Sequence, residues 1–114
     1  MTVVYKICPA LLWREAETQG TFRGAGADLA DGFIHFSTAE TVEETARRHF
    51  AGVADLLLVA FDDLSLGPEL RYEASRGGAL FPHLYGRLDP AAALWVKPLP
   101  LADDGQHVFP ELLP

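Results

Sequence analysis

Short, mostly apolar runs predict the β-strands of this chain. Short β-prone runs occupy Val3–Ile7, Leu56–Phe61 and Leu94–Lys97. The continuous apolar run Leu56–Phe61 is typical of a central strand, which is covered on both faces. Pro98 and Pro100 restrict the last run to the edge or end of a sheet, because proline has no N–H to donate to a neighbouring strand.

Two helices are predicted in the first half of the chain. Ala10–Gln19 contains good helix formers between Pro9, which suits a first turn, and Gly20, which suits a helix end. Ser37 and Glu40 have the spacing of a capping box, so the Ser37 hydroxyl is expected to accept a backbone N–H three residues on. Apolar residues then recur at helical spacing at Ala39, Val42, Ala46 and Phe50.

The remaining segments complete an α+β prediction for a single domain over residues 1–114. Phe33–Phe36 is predicted as a buried strand and Leu70–Glu73 as a short one, whereas Gly24–Asp28 is predicted as a flexible loop. Phe81–Gly86 is interpreted as a loop rich in aromatic residues. Strands outnumber helices and the helices come early, which favours a mostly antiparallel or mixed sheet.

Composition excludes several classes of protein. The chain has 114 residues, of which 49% are hydrophobic, so it can bury one core without metals or disulfides. Its net charge of −7, with nine Lys and Arg, argues against binding of extended nucleic acid through phosphates. No apolar run approaches the roughly 20 residues that span a bilayer, and the N-terminus lacks a signal-peptide pattern. Cys8 is the single cysteine, so we expect a buried residue in a cytoplasmic protein.

His35 is the first candidate for chemistry. In an alternating strand, its side chain shares a face with Phe33 and Ser37, so an imidazole and a hydroxyl would point into one pocket. That pocket would lie at the mouth of a helix N-terminus, where free N–H groups favour anions. The alternative is a core histidine that bonds a backbone carbonyl, with Ser37 acting as a cap alone.

A second candidate cluster lies within residues 71–86. Glu73 could bind a sugar hydroxyl and Arg76 a phosphate, or the two could form a surface ion pair worth about 0–1 kcal/mol. The Phe81–Gly86 segment places His83 and Tyr85 around a Pro and a Gly. Such segments often line a ligand site, but this one could equally be a rigid turn that completes the core.

Other common chemistries lack support in the sequence. The four histidines show no close ligand spacing and Cys8 stands alone, so no metal site is predicted. No Gly-x-Ser-x-Gly motif and no Walker-type loop occurs. The glycines near residue 25 are not followed by the fingerprint of a dinucleotide-binding fold.

Three stretches resemble the domain-of-unknown-function 952 family, for which no activity is established. They are Val4–Ile7, Asp31–Thr38 and Phe81–Gly86, and the resemblance covers almost the whole chain. The family is similar in fold to ADP-ribosyltransferases, which implies a split mixed or antiparallel sheet with two main helices around a cleft for a nicotinamide dinucleotide.

In that wider group, a strand carries His-x-Ser or His-x-Thr, and the His binds ribose; His35-Phe36-Ser37 matches this short pattern. The resemblance further implies a Glu at the ribose 2′-hydroxyl, for which Glu73 leads, and a Tyr stacked on nicotinamide, for which Tyr72 and Tyr85 both remain open.

The resemblance thus implies a nucleotide such as NAD as the small-molecule partner and substrate. His35 and Glu73 are the implied catalytic residues, and the implied binding residues are Ser37, Thr38, Arg76, His83 and Tyr85. The expected activity is transfer or hydrolysis of ADP-ribose. The alternative is a ligand-binding or interaction module that keeps the fold without the chemistry.

Overall fold

The computed structural model describes the backbone of residues 1–114 and the side chains of all of them apart from Arg76. The strands of the described backbone are β1 (Val3–Pro9), β2 (Ile34–His35), β3 (Ser37–Thr38), β4 (Leu56–Asp62), β5 (Leu70–Ala74), β6 (Leu80–Leu84) and β7 (Trp95–Leu99). The α-helices are α1 (Ala10–Gln19), α2 (Ala27–Asp31) and α3 (Val42–His49), and short 3₁₀ turns occupy Asp63–Leu66, Arg76–Gly78 and Pro90–Ala92.

The larger sheet has the strand order β3-β1-β4-β7, and each of its neighbouring pairs is antiparallel. β4 lies between β1 and β7, as its continuous apolar run predicts. β7 lies at the edge of the sheet, with Pro98 opposite Leu57 of β4. An edge strand has only one neighbour, so the missing N–H of proline is tolerated there.

The smaller sheet has the order β2-β6-β5, again with antiparallel pairs. The chain runs from β2 through Phe36 directly into β3, which belongs to the larger sheet. One extended segment therefore joins the two sheets, and it holds the site-forming side chains at that junction. The predicted α+β class with antiparallel sheets is confirmed.

The two longer helices, α1 and α3, lie where the sequence predicts helices, but α3 begins later than expected. α1 ends at Gly20, whose φ of 78° places it in the left-handed region that glycine adopts without strain. α3 begins at Val42, and the predicted capping role of Ser37 is wrong. Ser37 belongs to β3, and its hydroxyl lies 2.9 Å from that of Thr45. Ser37 pairs with Tyr5 of β1, which keeps its backbone extended and places the start of the helix further along the chain.

Two segments predicted as loops are regular structure. Phe81–Gly86 supplies most of β6, which pairs with strands on both sides. Pro82 has no N–H to donate to a neighbouring strand, but its carbonyl accepts a hydrogen bond from the Phe36 N–H at 2.9 Å. Within Gly24–Asp28, the last residues begin the short helix α2, and Asp28 is buried.

The core has two layers, one on each face of the larger sheet. Because successive strand residues point to opposite faces, β4 contributes to both. Leu57, Val59 and Phe61 pack in the layer shared with α1 and the smaller sheet, and Leu56, Leu58 and Ala60 pack in the layer shared with α3 and the C-terminal segment. This double role explains why the sequence of β4 shows no polar alternation.

Cys8 is buried as predicted, and burial raises the pKa of its thiol to about 12. The thiol therefore stays protonated and unreactive near neutral pH. No helix in the described part of the chain is long and apolar enough to cross a membrane.

Candidate functional site

The two faces of the smaller sheet have different character. Ile34, Leu84 and Leu70 lie side by side across β2, β6 and β5 and face the core. The neighbouring row on the opposite face joins His35, His83 and Arg71 in direct register. Side chains opposite each other on adjacent strands are close enough to interact. The register therefore brings two imidazoles from distant parts of the sequence together, at a ring-centroid distance of 5.3 Å.

Asp28 is the buried centre of this region. Its Oδ1 accepts hydrogen bonds from the backbone N–H of His35 at 2.9 Å and lies 2.8 Å from the His35 ring Nδ1. Its Oδ2 accepts the ammonium of Lys6 at 2.6 Å and the backbone N–H of Ala25 at 3.0 Å. Four donors on one carboxylate tie β1, the loop before α2 and β2 together.

Burial and charge act in opposite directions on this pair. Burial alone would raise the pKa of Asp28, but the Lys6 ammonium and the backbone donors outweigh it and hold that pKa below its usual value. Burial lowers the pKa of Lys6 in spite of Asp28. We regard the pair as charged at neutral pH, because the Lys6 ammonium also donates to the His35 carbonyl at 3.0 Å and so has two acceptors.

The His35 ring is held between two carboxylates. Nδ1 faces Asp28, and Nε2 lies 3.0 Å from Oδ2 of Asp31 at the end of α2. The ring keeps 31% of its side-chain surface exposed, so it is oriented by buried partners while remaining accessible to a ligand.

Phe33 lies at the centre of an aromatic cluster. Its ring centroid is 4.6 Å from that of His35, 4.4 Å from that of His83 and 5.0 Å from that of Tyr85. In each of these three pairs, the two ring planes are tilted by 35–38° to each other, so the rings are neither stacked in parallel nor edge to face. The guanidinium of Arg71 lies 5.2 Å from the centroid of the Tyr85 ring, at the margin of this cluster.

Glu73 is bound by two members of the same region. Its Oε1 lies 2.8 Å from His83 Nδ1 and accepts the Tyr85 hydroxyl at 2.7 Å. The Tyr85 hydrogen bond, followed by that of His83, lowers the pKa of Glu73, and the same contact raises the pKa of Tyr85. Glu73 is therefore an ionised carboxylate with a fixed orientation, at the edge of the sheet.

A cavity of about 620 Å³ opens beside these groups. Its polar lining includes Lys6, Asp28, His35, Ser37, His49 and His83, and apolar residues such as Ile7, Leu12 and Phe81 line other parts of it. This volume falls within the range of about 300–1,000 Å³ that is typical of small-molecule sites. Within the described side chains, no group of three or more His, Cys, Asp and Glu residues is arranged to hold a metal ion.

The structure brings most of the predicted site residues together. His35, Ser37 and His83 line the cavity, and Glu73 contacts it through His83. Tyr85 joins through Phe33 and Glu73. Two predictions fare differently. Thr38 bonds the hydroxyl of Thr41 at 3.1 Å in the turn before α3, and the predicted role of Arg76 lies outside the described side chains.

Sequence reasoning missed Lys6, Asp28, Asp31 and Phe33 as site residues. A signal existed for Lys6, because a single charged residue within the apolar run Val3–Ile7 has to find a buried partner. No local pattern could have identified Asp28 as that partner, since it lies in a glycine-rich stretch that resembles an ordinary loop.

The chain belongs to the family described as protein of unknown function (DUF952), whose model matches residues 7–96. Its fold is similar to the crystal structure of protein CC0527 from Caulobacter crescentus, with 46% identity, 94% of each chain covered and a TM-score of 0.90. It is also similar to the solution structure of CC0527, with 47% identity, a TM-score of 0.83 and 93% and 91% of the two chains covered. No curated protein matches this chain.

Proposed function

We propose that this chain binds a nucleotide such as NAD in the cavity beside His35 and His83, on a fold similar to that of ADP-ribosyltransferases. The observation that carries the proposal is that two imidazoles line one cavity and are themselves contacted by an aromatic cluster and an ordered carboxylate. Aromatic faces hold flat heterocycles, and imidazole and carboxylate groups bind ribose hydroxyls.

The proposed activity is transfer or hydrolysis of ADP-ribose. Cleavage of the bond between ribose and nicotinamide leaves positive charge on the ribose ring in the transition state. Glu73 is the group suited to stabilise that charge, because it is an oriented anion close to the cavity. His35 would bind the ribose, and Ser37 is also in the lining. Phe33, which contacts both imidazoles, would hold the nicotinamide ring together with Tyr85.

Calorimetric titration with NAD tests the binding step. We expect saturable heat with the unmodified protein and its loss in His35→Ala, which removes the accessible ring but leaves the backbone N–H on Asp28. His107→Ala is the matched control, because it also removes one imidazole, from a segment where His107 bonds the Val53 carbonyl. A flat titration with NAD and related nucleotides would contradict the proposal.

Release of nicotinamide, followed by chromatography, tests the chemical step. Glu73→Gln keeps the size of the side chain and removes its charge, so we expect a loss of release on the order of 100-fold. Glu43→Gln on the exposed surface of α3 is the matched control and should retain the original rate. A Glu73→Gln protein that releases nicotinamide above background at an unchanged rate would show that Glu73 is not catalytic.

One observation favours a second candidate, a ligand-binding or interaction module without catalysis. Both ring nitrogens of His35 are already engaged by Asp28 and Asp31, which suits a structural role for that ring. Saturable nucleotide binding, together with background release from both the unmodified protein and Glu73→Gln, would favour this module over the enzyme.

A further inference from the structure

A second concave surface shares Asp28 with the first cavity. It is an open cleft of about 610 Å³, and Phe33 and Asp28 contribute to its lining. Its other lining residues come from the segments around residues 19–23, 28–34 and 84–87. Two of them, Arg23 and Arg87, are arginines with exposed side chains. We call this surface the arginine cleft.

A backbone bridge lies directly beside the two arginines. Phe22 and Leu88 form an isolated antiparallel bridge, in which the Phe22 N–H donates to the Leu88 carbonyl at 2.9 Å. Both residues are buried, so the bridge is anchored in the core. The next residues along the two antiparallel segments are Arg23 and Arg87, so both arginines adjoin this bridge and both line the cleft.

Neither guanidinium is neutralised within the described part of the molecule. Other arginines have ion pairs: Arg14 contacts Glu17 at 2.7 Å and Arg48 contacts Glu44 at 3.2 Å. Arg23 and Arg87 have no such contact to a described side chain, although acidic residues outnumber basic ones by 16 to 9. Two uncompensated like charges that line one cleft repel each other, so their arrangement is unfavourable without a bound anion.

We propose that the arginine cleft binds a phosphoryl dianion, as orthophosphate or as the phosphate of a larger compound. Two guanidinium groups carry two positive charges, and a phosphate group carries about −1.5 to −2 at neutral pH. Planar guanidinium donors match phosphate oxygens in bidentate pairs. A single carboxylate would neutralise one arginine and leave the repulsion partly in place.

The acidic groups at the cleft are consistent with this ligand. Asp28 already accepts four donors, including the Lys6 ammonium, so it adds little uncompensated charge. The Glu69 carboxylate lies against Gly86, which also lines the cleft. Glu69 therefore opposes an anion, and removal of its charge should strengthen binding.

This site does not depend on the proposed nucleotide function, because it uses neither His35 nor Glu73. If a nucleotide does occupy the first cavity, the arginine cleft offers its phosphates a second surface, and Asp28 lines both. The two proposals can fail separately, since one concerns the imidazole cavity and the other the arginine pair.

Titration with orthophosphate and with adenosine monophosphate at constant ionic strength tests the site, with chemical shifts of the arginine side-chain N–H groups as the signal. We expect saturable shifts at Arg23 and Arg87. Arg23→Gln and Arg87→Gln should each weaken binding by at least about tenfold, the loss of a hydrogen bond to a charged group. Arg48→Gln, on exposed α3, should leave the affinity unchanged. Tighter binding of orthophosphate would indicate a site for the free anion, and tighter binding of adenosine monophosphate would indicate a site for a nucleotide phosphate.

Two further measurements complete the test. Glu69→Gln should bind orthophosphate more tightly than the unmodified protein, and orthophosphate should raise the melting temperature of the unmodified protein but not that of Arg23→Gln. Shifts that grow linearly with ligand, or that persist equally in both arginine variants, would overturn the proposal. Phosphate binding that survives in His35→Ala would separate this site from the nucleotide cavity.

Discussion

Replacing Asp28 with Asn is expected to be among the most damaging single substitutions near the site. The change keeps the shape of the side chain but removes the charge that neutralises Lys6, 2.6 Å away. Both side chains are nearly inaccessible, with 7% of the Lys6 side chain and 2% of the Asp28 side chain exposed. Water therefore cannot replace the lost partner of the ammonium.

The expected loss of folding free energy is about 3–5 kcal/mol, the cost of breaking a buried ion pair by removing one partner. A domain of this size has a total stability of about 5–15 kcal/mol, so Asp28→Asn should remain folded with little to spare. Lys6→Met should cost less, because Asp28 keeps the three donors contributed by Ala25 and His35. The double variant should be less destabilised than the sum of the two single variants, by roughly 0.5–3 kcal/mol.

Urea unfolding followed by circular dichroism measures these differences, and pH adds a second test. The pKa of Asp28 is depressed in the folded state, so its stabilising effect is present above the unfolded value of about 3.9 and is lost as pH falls through the folded value. The gap between the unmodified protein and Asp28→Asn should therefore narrow in acid below about pH 4. A loss under 1 kcal/mol at neutral pH, or additive single and double variants, would refute the account of this pair.

Three further substitutions have defined outcomes. Tyr5→Phe removes both hydrogen bonds between the Tyr5 hydroxyl and the Leu113 backbone, at 2.7 and 2.6 Å, so the Leu113 amide should exchange faster with solvent and stability should fall by about 1–2 kcal/mol. Gly20→Ala forces alanine into a φ of 78°, although the added methyl group would meet no neighbouring atom. The free energy of unfolding should therefore fall by roughly 1 kcal/mol, which thermal unfolding measures. Tyr85→Phe removes the main cause of the low pKa of Glu73, so that pKa should rise in a carboxyl-carbon NMR titration. An unchanged exchange rate, melting temperature or titration curve would contradict the corresponding prediction.

Elements that depend on local pattern were predictable from the sequence. α1 runs over the predicted residues and ends at Gly20, because proline before a helix and glycine after it act within a few residues. The central place of β4 follows from an apolar run that only a strand covered on both faces can hide. The edge position of β7 follows from its prolines.

Features that depend on distant partners were not predictable in the same way. Phe81–Gly86 has turn-forming residues, yet pairing with β5 and with β2 makes it a strand. Ser37 and Glu40 have the spacing of a capping box, yet pairing with β1 holds Ser37 in an extended strand. The Asp28–Lys6 pair joins residues 22 positions apart, and no pattern near either residue encodes the other. His35 was identifiable because a polar ring within an apolar strand is itself a local anomaly.

The most direct test of the central claim is an NMR titration of the folded chain with NAD that follows the aromatic signals of Phe33, His35 and His83. Nucleotide binding in the cavity predicts saturable shifts at all three rings with a single dissociation constant, because the rings contact one another at 4.4–5.3 Å. The buried Trp13 ring does not line the cavity, so its signals should stay unchanged and serve as the internal control. Unperturbed spectra at millimolar NAD, or saturable shifts that leave both histidines unmoved, would contradict the account.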